Sequence, residues 1–431
     1  MSKIKLTGDS SGYVEISAPS AAGNNTLELP ASGSKIVVSD GSDNINVAGV
    51  VTASSLYTTS INDLNYPTAG PLSNRNLIIN GAMQVAQRQT SLTLTTNTFA
   101  YPCVDRWKFE LGSQVSPNYT YSQDGDAPVG FTSSFKITNN SPASQGSSGT
   151  LYNLVGQLVE QNAIDHLDWG TSDAKPITIS FWIKSNVTGN DVVELVIRRN
   201  GTLSNDSIAG QIVINSADTW EYKTITFPGT TTNIGRPDYN ALGFGMYFSF
   251  QGLVGGAKIS SYNTWDNNNR LGGPAGDTNV FASTSGAYMN ITGVQLEVGE
   301  RATPFEHISY GDELLRCQRY YYKRKGNGSA AYCRFGLGMG FNGTSANFLF
   351  YHPTEMRIPP SVEDSGVGTI QTSDMYSGTP SNAALALVGN TNGTTQSCVV
   401  ITVSSGLTQF RPYFIEGANN VNAYIAFNSD F

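Results

Sequence analysis

The chain has 431 residues, 39% of them hydrophobic and only 13% charged, with a net charge of −8. Its length allows two to four domains of roughly 100–200 residues each, with ample material for their cores. The charge balance lacks the basic stripe that a nucleic-acid backbone demands, and no run of about eighteen apolar residues marks a membrane span.

The missing charges are replaced by Ser, Thr, Asn and 45 Gly. Gly and Asn tolerate the positive φ that turns need, and Ser and Thr serve as neutral residues on solvent-facing strand positions. The composition therefore points to an all-β protein with many polar turns. The opening residues, MSKIKLTGDSSGYVEIS, hold no apolar stretch of the kind that directs export. Cys103, Cys317, Cys333 and Cys398 show no metal-like spacing, so packed free thiols in a reducing cytoplasm are expected.

Residues 1–35 read as short strands, in segments such as KIKLT, YVEISAP and NTLELP, followed by SKIVVS. This unit is too small to bury much alone and needs a partner or copies of itself. Residues 36–74, rich in Ser, Thr, Asn and Ala, read as a thin stalk or linker closed by TAGPLSN. Residues 75–305 carry the strongest strand signals. ITISFWIK places Ile177, Ile179, Phe181 and Ile183 on one face. In ALGFGMYFSF, Leu242, Phe244, Met246, Phe248 and Phe250 alternate with small residues, as in a half-buried strand. YMNITGVQLEV closes the unit, with a bulge expected at Gly293. One β-sandwich is the natural reading.

From residue 306 the pattern changes. Ser309 with Asp312 three positions on forms a capping pattern, and Leu314, Leu315, Gln318 and Tyr321 fall on one helical face. This is the one convincing helix. Strand-like segments resume through 431, from SAAYCRFGLGM to NAYIAFNSDF, with Pro359 and Pro360 marking a turn or edge. A smaller second sandwich is predicted for residues 306–431.

Two catalytic patterns fail on context. Gly8-Asp9-Ser10-Ser11-Gly12 matches a nucleophile elbow, but strand-like YVEIS follows where a helix is required. Gly338 to Gly343 matches a dinucleotide loop, but TSANFLFYHP again reads as a strand. His166, His307 and His352 lie far apart, so no metal site is predicted. Glu297 and Glu300 are candidates for a glycosidase pair only because acids are scarce, and Glu297 is expected to be a solvated strand residue. No catalytic residue and no cofactor are assigned.

The aromatic residues are more telling. Sugars stack their C–H faces on exposed rings while amides and carboxylates take the hydroxyls. Trp169 and Trp265 lie in polar, turn-rich segments, and Trp182 falls opposite the Ile177–Ile183 stripe. With Asp266, Asn267 and Asn268 beside Trp265, these are the candidate glycan-binding residues. The competing reading for each Trp is a partly buried core or interface ring.

The segments NLIINGAMQVAQR, VDRWKF, ITISFWIK, TWEYKTITF and YMNITGVQLEVG together resemble phage tail-fibre proteins with a carbohydrate-binding-module-like jelly roll. The run ATPFEHISYGDELLRCQRYYYK is similar to the segment that follows this module, and MRIPPSV and NAYIAFNSDF resemble the terminal domain. The resemblance implies an elongated, homotrimeric fibre of the virion, assembled in the host cytoplasm. Its N-terminal region would dock to the phage tail, baseplate or adaptor proteins, and its distal domains would bind host polysaccharide or lipopolysaccharide without inserting into the membrane. A tailspike-like glycan depolymerase and a purely structural fibre segment are the alternatives. Jelly rolls of this type often hold a structural calcium between carboxylates, whereas this chain has Gly81-Ala82-Met83-Gln84 and Val294-Gln295 at those positions. The span from Gln295 to Lys323 then reads as a joint. VQLEV ends the sandwich, GERATPFEH crosses, and a short helix launches the last domain. Asp312, Glu313, Arg316 and Arg319 are expected in surface or interchain pairs, and Cys317 in packing.

Overall fold

The computed structural model describes residues 73–431 apart from 113, 143, 146–151, 201–204, 234, 236–240, 251–258, 269, 271–279, 327, 375–377, 382–383 and 388–391, together with four strands before residue 73. The chain divides into two compact units, Met1–Thr58 and Thr59–Phe431. In the first, Lys3–Thr7 and Tyr13–Ser17 pair antiparallel, and the GxSxG residues between them lie outside the described residues. So does most of the predicted stalk, of which the short pair Ser60–Ile61 and Leu64–Asn65 is described.

The second unit is all-β and holds two main cores. Residues 78–298 supply the larger one. It lies between two six-stranded antiparallel sheets. One runs in the order Glu221–Phe227, Ile177–Ser185, Tyr288–Val298, Ser134–Asn139, Tyr119–Asp124, Ser91–Leu94. The other runs Asn205–Ile214, Gly189–Asn200, Leu242–Ser249, Tyr152–Glu160, Lys108–Gly112, Phe99–Ala100. The Ile177–Ile183 stripe is fully buried between them, as period-two alternation requires. Leu242–Ser249 departs from expectation because it is buried on both faces. Its outer face is covered by Tyr247, whose hydroxyl donates to Glu110 Oε1 at 3.2 Å while Arg198 lies over the ring.

Residues 335–427 supply the second core, between a three-stranded and a seven-stranded sheet. Pro359 and Pro360 precede the edge strand Ser361–Asp364, where a missing N–H costs no ladder bond. The glycine run 338–343 lies in and just beyond the strand Arg334–Gly340. A Cβ on Gly338 or Gly340 would lie 2.1 or 2.2 Å from the carbonyl of Asn347 or Thr408, so close strand packing accounts for these glycines.

Between the cores lies the helix Tyr310–Gln318, with Ser309 as N-cap accepting from Asp312 N. Its buried residues are Glu313 and Cys317, with Tyr320 following, rather than the predicted Leu314 and Leu315; Leu315 is exposed. The helix packs on a polar network instead of an apolar wall. Glu313 Oε1 accepts the Asn80 amide at 2.7 Å. Arg319 clasps Glu160 through two bonds, of 2.9 and 2.8 Å, and the Tyr320 hydroxyl donates to the same carboxylate. Glu313 and Arg319 thus engage partners in their own chain, not the surface or interchain pairs expected. Burial pushes the Glu160 carboxyl up, but Arg319 and Tyr320 outweigh it and hold the group below its ordinary value. Cys317 is buried and free. Among the described residues, no helix is long and apolar enough to cross a membrane.

Candidate functional site

The first sheet's outward face is polar by sequence, and one part of it is left open. Cross-strand pairing sets Thr178 against Thr226, Ser180 against Thr224, and Trp182 against Tyr222. Alternation sends these residues outward because their neighbours fill the core. The Trp182 and Tyr222 rings stand 5.3 Å apart, tilted at 51°, and Tyr222 is 46% exposed.

One strand over, Gly293 forms the expected bulge. Ser180 pairs with Gln295 and Trp182 with Thr292, so Gly293 and Val294 together oppose Phe181. Gly293 adopts φ +61°, and the Phe131 ring lies where a side chain would stand, 2.6 Å from an ideal Cβ. Phe131 packs in turn against Phe305 at 5.1 Å and His307 at 5.2 Å.

Between these groups runs an open groove of ≈ 800 Å³. Thr178, Thr224, Thr226 and Gly293 belong to its strands, and Trp182, Tyr222, Phe131 and Phe305 supply aromatic surface. Glu300 and Arg301 add one charge of each sign. The threonines are already organised: Thr178 Oγ1 donates to Gly299 O at 2.8 Å and sits 2.9 Å from Thr226 Oγ1. Burial pushes the Tyr222 phenol above its ordinary value, so it stays a neutral hydrogen-bonding group.

Glu297 corrects the reading of a solvated strand residue. It is 2% exposed. The crossing segment folds back over it: Thr303 N and Oγ1 donate to its two oxygens at 2.8 and 2.7 Å, and Gln295 Nε2 donates at 2.9 Å. Arg75 stands 3.7 Å away. Glu306 receives the amides of Asn74, Arg75 and Asn76 at 2.6, 2.7 and 3.1 Å. These carboxylates tie the chain's entry into the sandwich to its exit.

The predicted tryptophans fall in two places. Trp182 lines the groove. Trp169 and Trp265 meet elsewhere, edge to face at 5.4 Å, both packed on the larger core. Each donates its indole N–H to a backbone carbonyl, of Lys175 and Pro228, at 2.8 and 2.9 Å. Arg199 lies over the Trp169 ring and pairs with buried Asp206 at 3.0 Å. Asp266 binds Arg270 and the Asn268 amide, and bridges Ser207 through its backbone. Asn267 Oδ1 accepts from Thr232, and Asn267 and Asn268 stay exposed. Phe131, Tyr222 and Phe305 were missed by sequence reasoning. Of these, only Tyr222 had a signal, as an outward position of WEYKTITF.

The positions where the resemblance implies calcium do not fit that ion. Gly81 O accepts from Val294 N, and Gln123 Nε2 donates to the carbonyls of Met83 and Gln84 at 2.7 and 2.9 Å. The Gln123 side-chain amide thus takes up these two carbonyls, and Gln84 and Gln295 supply none of the negative charge a hard cation favours. No cluster of three metal-ligating side chains occurs among the described residues.

The chain matches no protein-family model and no curated protein. Among solved structures it is similar to TmCBM61 in complex with β-1,4-galactotriose, at 11% identity over 52% of this chain and 100% of that one, with a TM-score of 0.24. It is also similar to the family 11 carbohydrate-binding module of Clostridium thermocellum in complex with a mixed-linked tetrasaccharide, at 10% identity over 51% and 99%, TM-score 0.23. A tandem CBM22 pair from Paenibacillus barcinonensis matches at 9% identity over 80% and 98%, TM-score 0.23. With TM-scores this low, the fold and the groove rest on the sheets and side chains described above.

Proposed function

We propose that this chain is a non-catalytic carbohydrate-binding protein and, on its sequence resemblance, a receptor-binding tail fibre that attaches a virion to host cell-surface glycan. The observation that carries the glycan reading is the groove. It combines aromatic faces for sugar C–H groups with neutral hydroxyls for hydrogen bonding, in a volume suited to an oligosaccharide. Glu300 is the one carboxylate among its described lining residues, and Glu297 is spent on Thr303 and Gln295. A two-carboxylate hydrolysis has no second partner there, which supports the non-catalytic reading. Modest affinity per site would be raised by several copies per particle acting at high effective concentration.

The test is binding of the full chain to a panel of bacterial surface polysaccharides and to candidate host cells, followed by titration calorimetry. Trp182→Ala and Tyr222→Ala should each weaken binding at least about tenfold, worth about 1.4 kcal/mol. Unchanged affinity in both variants, or no binding by the parent, would sink the proposal. Release of oligosaccharide would replace it with a depolymerase.

A further inference from the structure

The groove on the larger sandwich has two different ends. Its floor is a pair of strands, with Thr178 beside Thr226 at one end and Trp182 beside Tyr222 at the other. Four residues of extended chain separate them, about 13 Å. Its wall is the crossing segment. Thr226 Oγ1 donates to Glu300 O at 3.4 Å, and Thr303 binds Glu297, the strand partner of Thr178. Phe305 packs on Phe131 over Gly293, next to the partner of Trp182. Arg301, between Glu300 and Thr303, therefore stands at the threonine end, away from the ring pair.

The polar groups along this groove are unevenly spent. The chain has five tryptophans. Trp107, Trp169, Trp220 and Trp265 donate their indole N–H groups to Asn80 O, Lys175 O, Asp126 Oδ1 and Pro228 O. Trp182, in the groove, donates to no group among the described residues. Arginines elsewhere are tied down, Arg199 to Asp206, Arg319 to Glu160 and Arg324 to Phe335 O. Arg301 is exposed and has no ion-pair or hydrogen-bond partner among the described residues. Glu300 is engaged, and Arg301 is not its partner. The groove thus presents two unspent donors, one of them a cation, while the carboxylate among its described lining residues is already occupied.

We infer that the groove takes an acidic glycan, and that Arg301 recognises the carboxylate of a uronic acid residue within it. This rests on the glycan reading of the groove and names its substrate class. A guanidinium meets a carboxylate through two parallel N–H bonds, a match that a single hydroxyl cannot make. Arg301 is the one cation among the described lining residues, which balances the single charge of a carboxylate; a phosphate monoester carries about −1.5 to −2. At the other end, the Trp182 N–H offers a donor to an oxygen of the same glycan chain. The net charge of −8 opposes an acidic polymer only at a distance. Exposed charges are screened beyond about 8 Å at physiological ionic strength, so the nearest charge decides.

The experiment takes the full chain and the surface polysaccharides that bind it, each as isolated and after chemical reduction of its carboxyl groups to primary alcohols. Affinities are read by titration calorimetry. The parent should bind a uronate-bearing polymer at least about tenfold more tightly than its reduced form, the effect of one hydrogen bond to a charged group. Arg301→Gln should bring that ratio to within about twofold, and Arg301→Lys, which keeps the charge but not the fork, should restore part of it. Arg301 is exposed, so the thermal midpoint should not move in either variant. A bound polymer that lacks uronate, or equal affinity for the two forms, would overturn the inference and leave the glycan reading standing. A preference that survives Arg301→Gln would overturn it too, because another group would then recognise the acid. A chain that binds no polysaccharide would remove both readings.

Discussion

Two outward sheet faces of this molecule depart from the default in opposite ways. On the larger sandwich, the face is polar, Thr178, Ser180, Thr224 and Thr226, and aromatic rings are set into it at Trp182 and Tyr222. On the smaller sandwich, the face exposes large apolar side chains, Leu337, Met339, Leu349 and Tyr351, around the polar Asn347. A sugar needs hydroxyl partners beside each ring, so a mixed surface serves it. A protein partner supplies its own apolar area and needs few polar groups at the centre. The first pattern therefore suits a polar ligand, whereas the second leaves apolar area exposed without hydroxyl partners beside it.

The two faces should act independently, and the residues that tie the two cores together test this most strongly. Arg106 is fully buried, lies 3.3 Å above the Tyr320 ring and faces Asp430 at 3.5 Å. Asp430 also pairs with Arg88. Asp430→Ala should leave two guanidinium groups without their carboxylate and cost about 3–5 kcal/mol, read from denaturant midpoints. If glycan affinity fell with stability in the molecules that remain folded, the faces would not be separable.

A second substitution sharpens the distinction between inward and outward tryptophans. Trp169 packs on Phe244, Trp265 and Arg199 and spends its N–H on Lys175. Trp169→Ala should cost about 3 kcal/mol through lost packing while leaving glycan affinity within about twofold. Lost binding with unchanged stability would move the ligand surface to the Trp169–Trp265 corner, with Asp266, Asn267 and Asn268.

The smaller sandwich should also answer to pH. His352 is buried against Phe427, with Nε2 3.0 Å from Ser397 Oγ, and burial lowers its pKa to about 4. The unfolded value is ~6.5. Between those values the unfolded chain takes up a proton that the folded chain refuses. Stability is then full above pH ~6.5 and falls as pH drops toward 4, by about 3 kcal/mol in total. His352→Asn should remove that part of the slope. An identical pH dependence in the variant would discard the assignment.

Much of this was legible in the sequence, for identifiable reasons. The Ile177–Ile183 stripe, the Gly293 bulge and the Ser309 cap depend on neighbours within a few residues, where alternation and local hydrogen bonds decide. Trp182 was placed on the outward face by the same alternation. Phe131 and Phe305 were not found, because they reach the groove from loops far along the chain. Glu297 was misplaced because the strand pattern does not reveal that Thr303 folds back over it. The strand Arg334–Gly340 defeats alternation outright. A register shift between Arg334 and Gly336 puts Phe335 inside and leaves Leu337 and Met339 outside, although strict alternation would set all three on one face.

The smallest expected effect tests the ligand surface most sharply. Trp182 is half-buried, its nearest aromatic contact is Tyr222, and its strand neighbours Phe181 and Ile183 hold the core without it. Losing one such ring pair costs ~0.5–1.5 kcal/mol, and exposed positions usually cost less. Trp182→Ala should therefore lower stability by less than about 1 kcal/mol. A loss of about 3 kcal/mol or more would make Trp182 a packing residue like Trp169. A ring kept in a polar face at so little gain in stability is better accounted for by what binds against it, and that outcome would give any accompanying loss of glycan affinity its meaning.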